Sequence, residues 1–196
     1  MTTDATLTTP KPKRRRLLGF VLALVAIYFI WGAARYPQEK RQQEAAIAIR
    51  QLGGEIAWWA ELVGEPGYRK VIGVQLTGSR VTDDDLQHLR SLNGPGTVNL
   101  SDTKVTDAGL VHLLGLKRLT GLRLRGTEIT DAGLESVMRM YGLQGLDLEH
   151  TQVTDAGLEH LRSLANLEWL WIRHTKVTEA GVKKLQQALP NCSIAW

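Results

Sequence analysis

The chain has 196 residues and a single cysteine, Cys192. That excludes an internal disulfide framework and any cysteine-rich metal centre. No Ser/His/Asp arrangement, phosphate-binding glycine loop or paired-carboxylate cleft can be picked out, so nothing argues for an enzyme or for a cofactor. An excess of one charge is also missing from most of the chain. The formal net charge is +4, but six of the 24 Lys/Arg and only one of the 20 Asp/Glu fall within residues 1 to 35, which leaves 18 bases against 19 acids in the rest. The basic character is local to the N-terminus and is no footprint for nucleic acid.

What is present is a sentence repeated five times. A Val/Ile-Thr-Asp/Glu opening recurs at Val81, Val105, Ile129, Val153 and Val177, each 24 residues after the last, with no insertion or deletion. A fixed period of this size signals a solenoid, usually a binding surface rather than a catalyst. Each copy has two hydrophobic periods. Leu122 and Leu124 are two apart and share one face of a strand. Leu110, Leu113 and Leu116 are three apart, which suits one face of a short helix. Thr106 is placed to cap that helix, and Asp107 sets negative charge in its first turn. The expected unit is strand, turn, helix.

The columns hold across the copies. One strand column reads Val74, Val98, Leu122, Leu146, Leu170, Ile194, and the next Leu76, Leu100, Leu124, Leu148, Ile172, Trp196. The turn column reads Ser79, Thr103, Thr127, Thr151, Thr175, hydroxyls that can bond the turn backbone. On these residues 71–196 resembles the leucine-rich repeat, with Thr where many members carry Asn or Cys. The resemblance implies an α/β solenoid with a parallel concave sheet and convex helices. Gly109, Gly133, Gly157 and Gly181 sit in the first helical turn, where Gly costs about 1 kcal/mol against Ala. They imply that neighbouring helices approach too closely for a larger side chain. Pro95, within Asn93-Gly94-Pro95-Gly96, stands in the column of Leu119, Leu143 and Leu167, so a loose loop is expected there.

Ahead of the repeats the chain changes character. Residues 1–16 form a basic tail with Lys11, Lys13, Arg14, Arg15 and Arg16, succeeded by an uncharged apolar run over 17–34. At about 1.5 Å per residue that run approaches the ~30 Å of a bilayer core. The positive-inside rule keeps the tail cytoplasmic and exports the C-terminal domain, to a periplasmic or extracytoplasmic location. Trp31 and Tyr36 fall where interfacial aromatics belong. A cleaved signal peptide ending at Gly32-Ala33-Ala34 is the rival reading, but the run is longer than a usual signal core and favours a signal-anchor. Residues 35–70 read as linker and N-terminal cap. A helix runs from Gln38 to Leu52 with Ala45, Ile49 and Leu52 on one face, stopped by Gly53-Gly54, then a strand over Glu55 to Trp59 and a turn at Pro66-Gly67. Trp58 and Trp59 are expected to pack the cap. Leu189-Pro190-Asn191-Cys192 breaks the repeat, and Trp196 is expected to plug the open end. Anchor, Ala-Ile-Arg-x-Leu-Gly-Gly run (48–54), VTDAGL repeats and terminal LPNC together resemble bacterial membrane-anchored leucine-rich repeat proteins whose biochemical role is unassigned.

Specificity should lie where the copies disagree. The solvent-facing strand columns bring together Arg123, Arg125, Asp147, Glu149, Trp169, Trp171 and Arg173. At about 4.8 Å between strands, Arg123 can reach Asp147, and Arg125 and Arg173 can flank Glu149. Gly121 and Gly145 leave room beside Trp169. Arg and Trp are enriched in interface hot spots, so these seven residues are the candidate binding patch; a self-neutralised surface is the alternative. His88, His112 and His160 share a helix column and project in parallel, whereas a metal needs convergent ligands. His150 and His174 lie in adjacent turns, closer together. The acids Asp83, Asp107, Asp131, Asp155 and Glu179 form a column that helix dipoles explain without calcium. No metal site is inferred. The sequence thus reads as a membrane-anchored, non-catalytic module for a protein partner of unknown identity. A glycan or small-ligand binder stacking on Trp169 and Trp171 is the alternative. An intracellular ubiquitin-ligase-type adaptor is another, because F-box receptors carry similar repeats; the absence of an F-box and the export signal argue against it.

Overall fold

The computed structural model describes residues 37–60, 69–92 and 94–196. The basic tail 1–16, the apolar run 17–34, Trp31, Tyr36, the Gly32-Ala33-Ala34 cleavage candidate and Pro66-Gly67 lie outside the described residues. So do the side chains of Trp58 and Trp59. Among the described residues no helix is long and apolar enough to cross a membrane.

Residues Arg41–Trp196 form one compact unit. Helix α1 runs over 37–51 and buries Ala45 and Ile49, with Leu52 packed at its end. It stops where expected. Gly53 adopts φ 85°, and the amides of Gly53 and Gly54 reach back to the carbonyls of Arg50 and Ile49, the glycine-terminated helix end. Next in the chain, strand β1 (Glu55–Ala60) pairs antiparallel with β2 (Arg69–Gln75).

From β2 onward all pairing is parallel. Strands β3 (Thr97–Asn99), β4 (Gly121–Arg123), β5 (Gly145–Asp147), β6 (Trp169–Trp171) and β7 (Ser193–Ala195) continue a seven-stranded sheet in sequence order. The register obeys the period: Val74 pairs with Val98, Val98 with Leu122, Leu122 with Leu146, Leu146 with Leu170 and Leu170 with Ile194. A helical segment separates each strand from the next. The first two, Asp84–Ser91 and Gly109–Gly115, are 3-10 helices; then come α2 (Asp131–Val137), α3 (Asp155–Leu161) and α4 (Glu179–Ala188). Three-residue spacing of apolar side chains serves the tighter helix directly, because three residues complete its turn. Leu86/Leu89/Leu92, Leu110/Leu113/Leu116, Leu134/Val137/Met140 and Leu158/Leu161/Leu164 are all buried, in one continuous core with the strand columns.

The four threonines of the turn column act as expected, whereas the Ser79 hydroxyl is buried and has no hydrogen-bond partner among the described residues. Thr103, Thr151 and Thr175 each donate to the carbonyl three residues back at 2.7 Å, and Thr127 does the same to Leu124. Pro95 is buried in the column of the leucines, while Asn93 of the same segment lies outside the described residues. Trp196 corrects an expectation. It is 56% exposed and plugs nothing. A core column is buried by the repeat stacked beyond it, and among the described residues none stacks beyond β7. The terminal LPNC segment is instead pinned by Gln186, whose Nε2 donates to the carbonyls of Leu189 and Cys192 at 3.0 Å each.

The acid column has a role beyond the helix dipole. Asp83, Asp107, Asp131 and Asp155 each accept two hydrogen bonds from the Thr that opens the next repeat, Thr106, Thr130, Thr154 and Thr178. The amide donates to Oδ1 at 2.7–2.8 Å and the hydroxyl to Oδ2 at 2.6–2.7 Å. The same hydroxyls accept from amides of their own first turn, as Thr130 does from Ala132 and Thr154 from Ala156. Each Thr therefore links the preceding repeat's acid to its own helix start. This ladder accounts for the helix glycines. A Cβ on Gly109, Gly133, Gly157 or Gly181 would meet the carboxylate of Asp83, Asp107, Asp131 or Asp155. Close approach is the right reason for glycine, and the group that approaches most closely is the acid.

Candidate functional site

The solvent face of β4 to β6 brings the patch together by register alone. Gly121, Gly145 and Trp169 lie side by side, as do Arg123, Asp147 and Trp171. Alternation puts Leu122, Leu146 and Leu170 into the core and their neighbours on the opposite face.

The two indoles form a tilted pair, centroids 4.9 Å apart and planes at 38°. Trp169 is half-buried because its ring lies over Gly145, where a Cβ would overlap it. Gly121 is not part of that arrangement; the side chain nearest its Cβ position is Thr97. Trp171 is 38% exposed, a large apolar surface on an otherwise polar face.

The charges pair differently from the expectation. Arg125 Nη1 meets Glu149 Oε2 at 3.2 Å, as anticipated. Arg123 makes no ion pair with Asp147, and Arg173 makes none with Glu149. Asp147 Oδ1 instead accepts the Glu149 amide at 3.0 Å. The reason is geometric: an Asp can satisfy itself with the amide two residues on, without ordering a long side chain on the next strand. Asn99, in the same column, does the same for Ser101. Asp147 is only 4% exposed. Burial pushes its carboxyl above the usual range, and the Glu149 charge pushes the same way. The Glu149 amide and the charges of Arg125 and Arg123 pull back without prevailing.

The remaining chemical candidates separate cleanly. His150 and His174 do come together, with rings stacked at 4.4 Å and 20°. Both backbones sit at φ 57°, in a turn column shared with Gly78, Asp102 and Gly126, all left-handed; His, Asn and Asp are the non-glycine residues most tolerant of that region. Among the described residues no group of three or more His, Cys, Asp or Glu could hold a metal ion. Cys192 is buried, and burial raises its thiol pKa to about 11, which makes it a poor nucleophile.

A sheet grown one parallel strand per 24-residue copy, with a helix on every return, defines the class of repeat solenoids. A family model described as Leucine Rich repeat matches residues 118–138. Over those residues the chain is similar to the leucine-rich repeat family. Its solved relatives are distant. A leucine-rich repeat protein of Leptospira interrogans shares 21% identity, over 56% of this chain and 27% of that one, at a TM-score of 0.45. An internalin of Listeria monocytogenes shares 20% over 59% of this chain and 38% of its own, at 0.42. The leucine-rich repeat ectodomain of the receptor kinase SOBIR1 of Arabidopsis thaliana shares 18% over 80% of this chain and 91% of that one, at 0.49. The chain thus spans well under two thirds of the first two proteins. No curated protein matches it. Leucine-rich repeat domains generally mediate protein–protein interaction.

Proposed function

We propose that this chain is a non-catalytic protein-interaction module that engages its partner with the solvent-facing, concave side of the sheet. The observation that carries the reading is the exposed Trp171 beside Trp169, set among Arg123, Arg125 and Arg173 on one rigid face. Trp and Arg are the side chains that dominate interface energetics, and the parallel strands hold them without a flexible loop. The apolar run 17–34, preceded by five basic residues, supports an anchored chain with a cytoplasmic N-terminus and an exported repeat domain.

The test is crosslinking of the full chain in its native membranes, comparing the parent with Trp169→Ala/Trp171→Ala. Loss of a specific crosslinked protein is the expected result; an unchanged crosslinking pattern would sink the assignment of this face. Protease added to intact cells or spheroplasts tests the topology separately, with digestion of the repeat domain expected from outside.

A further inference from the structure

We propose that the partner presents an acidic, extended peptide segment to this face, with carboxylates meeting Arg123 and Arg173 and an apolar side chain resting on Trp171. The inference rests on the reading of the sheet face as a protein-binding surface and specifies its chemistry.

Counted by sequence alone, the face is close to neutral. Residues 121–126, 145–150 and 169–174 contain Arg123, Arg125 and Arg173 against Asp147 and Glu149. Counted by what reaches solvent, it is not. Asp147 is covered and bonded to its own turn, and the Glu149 side chain is only 14% exposed and held by Arg125. The three arginines are exposed. The side chains of Arg123 and Arg173 make no hydrogen bond or ion pair to any described residue, so their forked donors face solvent. The two acids therefore support the strip from beneath, while the surface offered to a partner is cationic and aromatic.

Geometry limits what fits. Arg123 lies on β4 in register with Trp171, and Arg173 sits two residues past Trp171, the last residue of β6; two strand spacings of ~4.8 Å and two residues of ~3.3 Å combine to roughly 12 Å. About four residues of extended peptide cover that distance at ~3.3 Å per residue, and alternate side chains share a face, so acidic residues four positions apart, with an apolar one midway, match both guanidiniums and the indole. Planar guanidinium forks favour carboxylates bidentately. The chain's own N-terminal tail cannot be the occupant, since its Lys11 to Arg16 cluster carries the same sign. A neutral glycan would use the indoles and leave both free arginines without a role.

The full-length chain is tested by fluorescence polarisation against a labelled Glu-Ser-Leu-Ser-Glu peptide, whose two Glu and one Leu share a face when extended, its Gln-Ser-Leu-Ser-Gln counterpart, and chitohexaose. The expected result is about tenfold tighter binding of the Glu peptide at low salt, an advantage that shrinks as salt is raised. Arg123→Ala/Arg173→Ala should abolish the advantage, with circular dichroism confirming that these surface variants remain folded. Equal affinity for the Glu and Gln peptides overturns the proposal, as does a Glu preference that survives the double arginine change. Chitohexaose binding with no peptide binding overturns it together with the protein-binding reading. A native crosslinked partner that needs Trp169 and Trp171 but ignores the arginine changes overturns the acidic-segment inference alone.

Discussion

Two aspartates of the same chain respond to pH in opposite senses, and the difference comes from what surrounds each carboxylate. Asp155 is held below the usual range, first by the Thr178 hydroxyl and then by the Thr178 amide, against a smaller opposing effect of burial. Its folded pKa lies below its unfolded value of about 3.9. The stability it contributes is therefore present above that value and lost as pH falls through the folded one. Asp147 is raised, chiefly by burial. Its contribution is full below the unfolded value and lost as pH rises through the folded one, so at neutral pH the ionised group is a liability. Asp147→Asn keeps an oxygen for the Glu149 amide and removes the charge. It should equal or exceed the parent in stability at pH 7, with no advantage below about pH 3.9. Asp155→Asn should be less stable at pH 7 and converge on the parent in acid. Urea unfolding across this pH range measures both; a loss of more than about 1 kcal/mol for Asp147→Asn at pH 7 would contradict the burial cost.

At the scale of the element, the helix start is a shared construction rather than a local one. Thr and Asp in the VTDAGL opening each have a sufficient reason within their own helix, as cap and as dipole partner, which is why their 23-residue link escapes a helix-by-helix reading. A signal was nevertheless present in the columns. The first repeat reads Val81-Thr82-Asp83-Asp84-Asp85, with Asp85 where later copies have Gly. No acid column precedes it, so glycine is not needed, and Asp85 itself accepts the Thr82 amide at 2.9 Å and hydroxyl at 2.8 Å. At the other end Glu179 replaces Asp and turns to Lys183 at 2.6 Å. Glycine thus tracks the presence of an upstream aspartate, and a substitution cycle tests the link. On helix propensity alone Gly133→Ala should stabilise α2 by about 1 kcal/mol. Against the Asp107 carboxylate it should instead destabilise by about 1–3 kcal/mol. Asp107→Ala frees that space, so the double variant should be at least about 1 kcal/mol more stable than the two single losses added together. Additive urea-unfolding energies would show that the glycine answers to the helices and not to the acid.

For the whole molecule, the period carries nearly all the fold information, and its limits mark what sequence reading missed. Strand register, core columns and the membership of the Arg/Trp face were legible because a constant 24-residue spacing leaves one way to align neighbours. End effects were not, since a column predicts burial only where another repeat covers it; Trp196 belongs to a core column and is exposed. Nor was the pairing within the patch, because adjacent strands allow Arg123 to approach Asp147, while local backbone bonding and burial decide otherwise.

If register is what holds the solenoid together, removing one full period should leave a protein that still folds. Deleting residues 129–152 joins Glu128 to Val153 and brings Thr154 to the position from which Thr130 donates to Asp107. Every strand column and the acid ladder close again, one repeat shorter. Deleting 129–151 leaves one extra residue in the turn and carries Thr154 out of reach of Asp107. It also turns the next strand by one position, and a one-residue slip exchanges its core and solvent faces. The 24-residue deletion should therefore unfold cooperatively in urea, with a smaller m in proportion to the surface lost and a stability reduced by one repeat and one interface. The 23-residue deletion should lose cooperativity or fail to fold. Comparable transitions for both deletions, monitored by circular dichroism, would mean that burial of generic apolar surface, and not the 24-residue register, sustains this sheet.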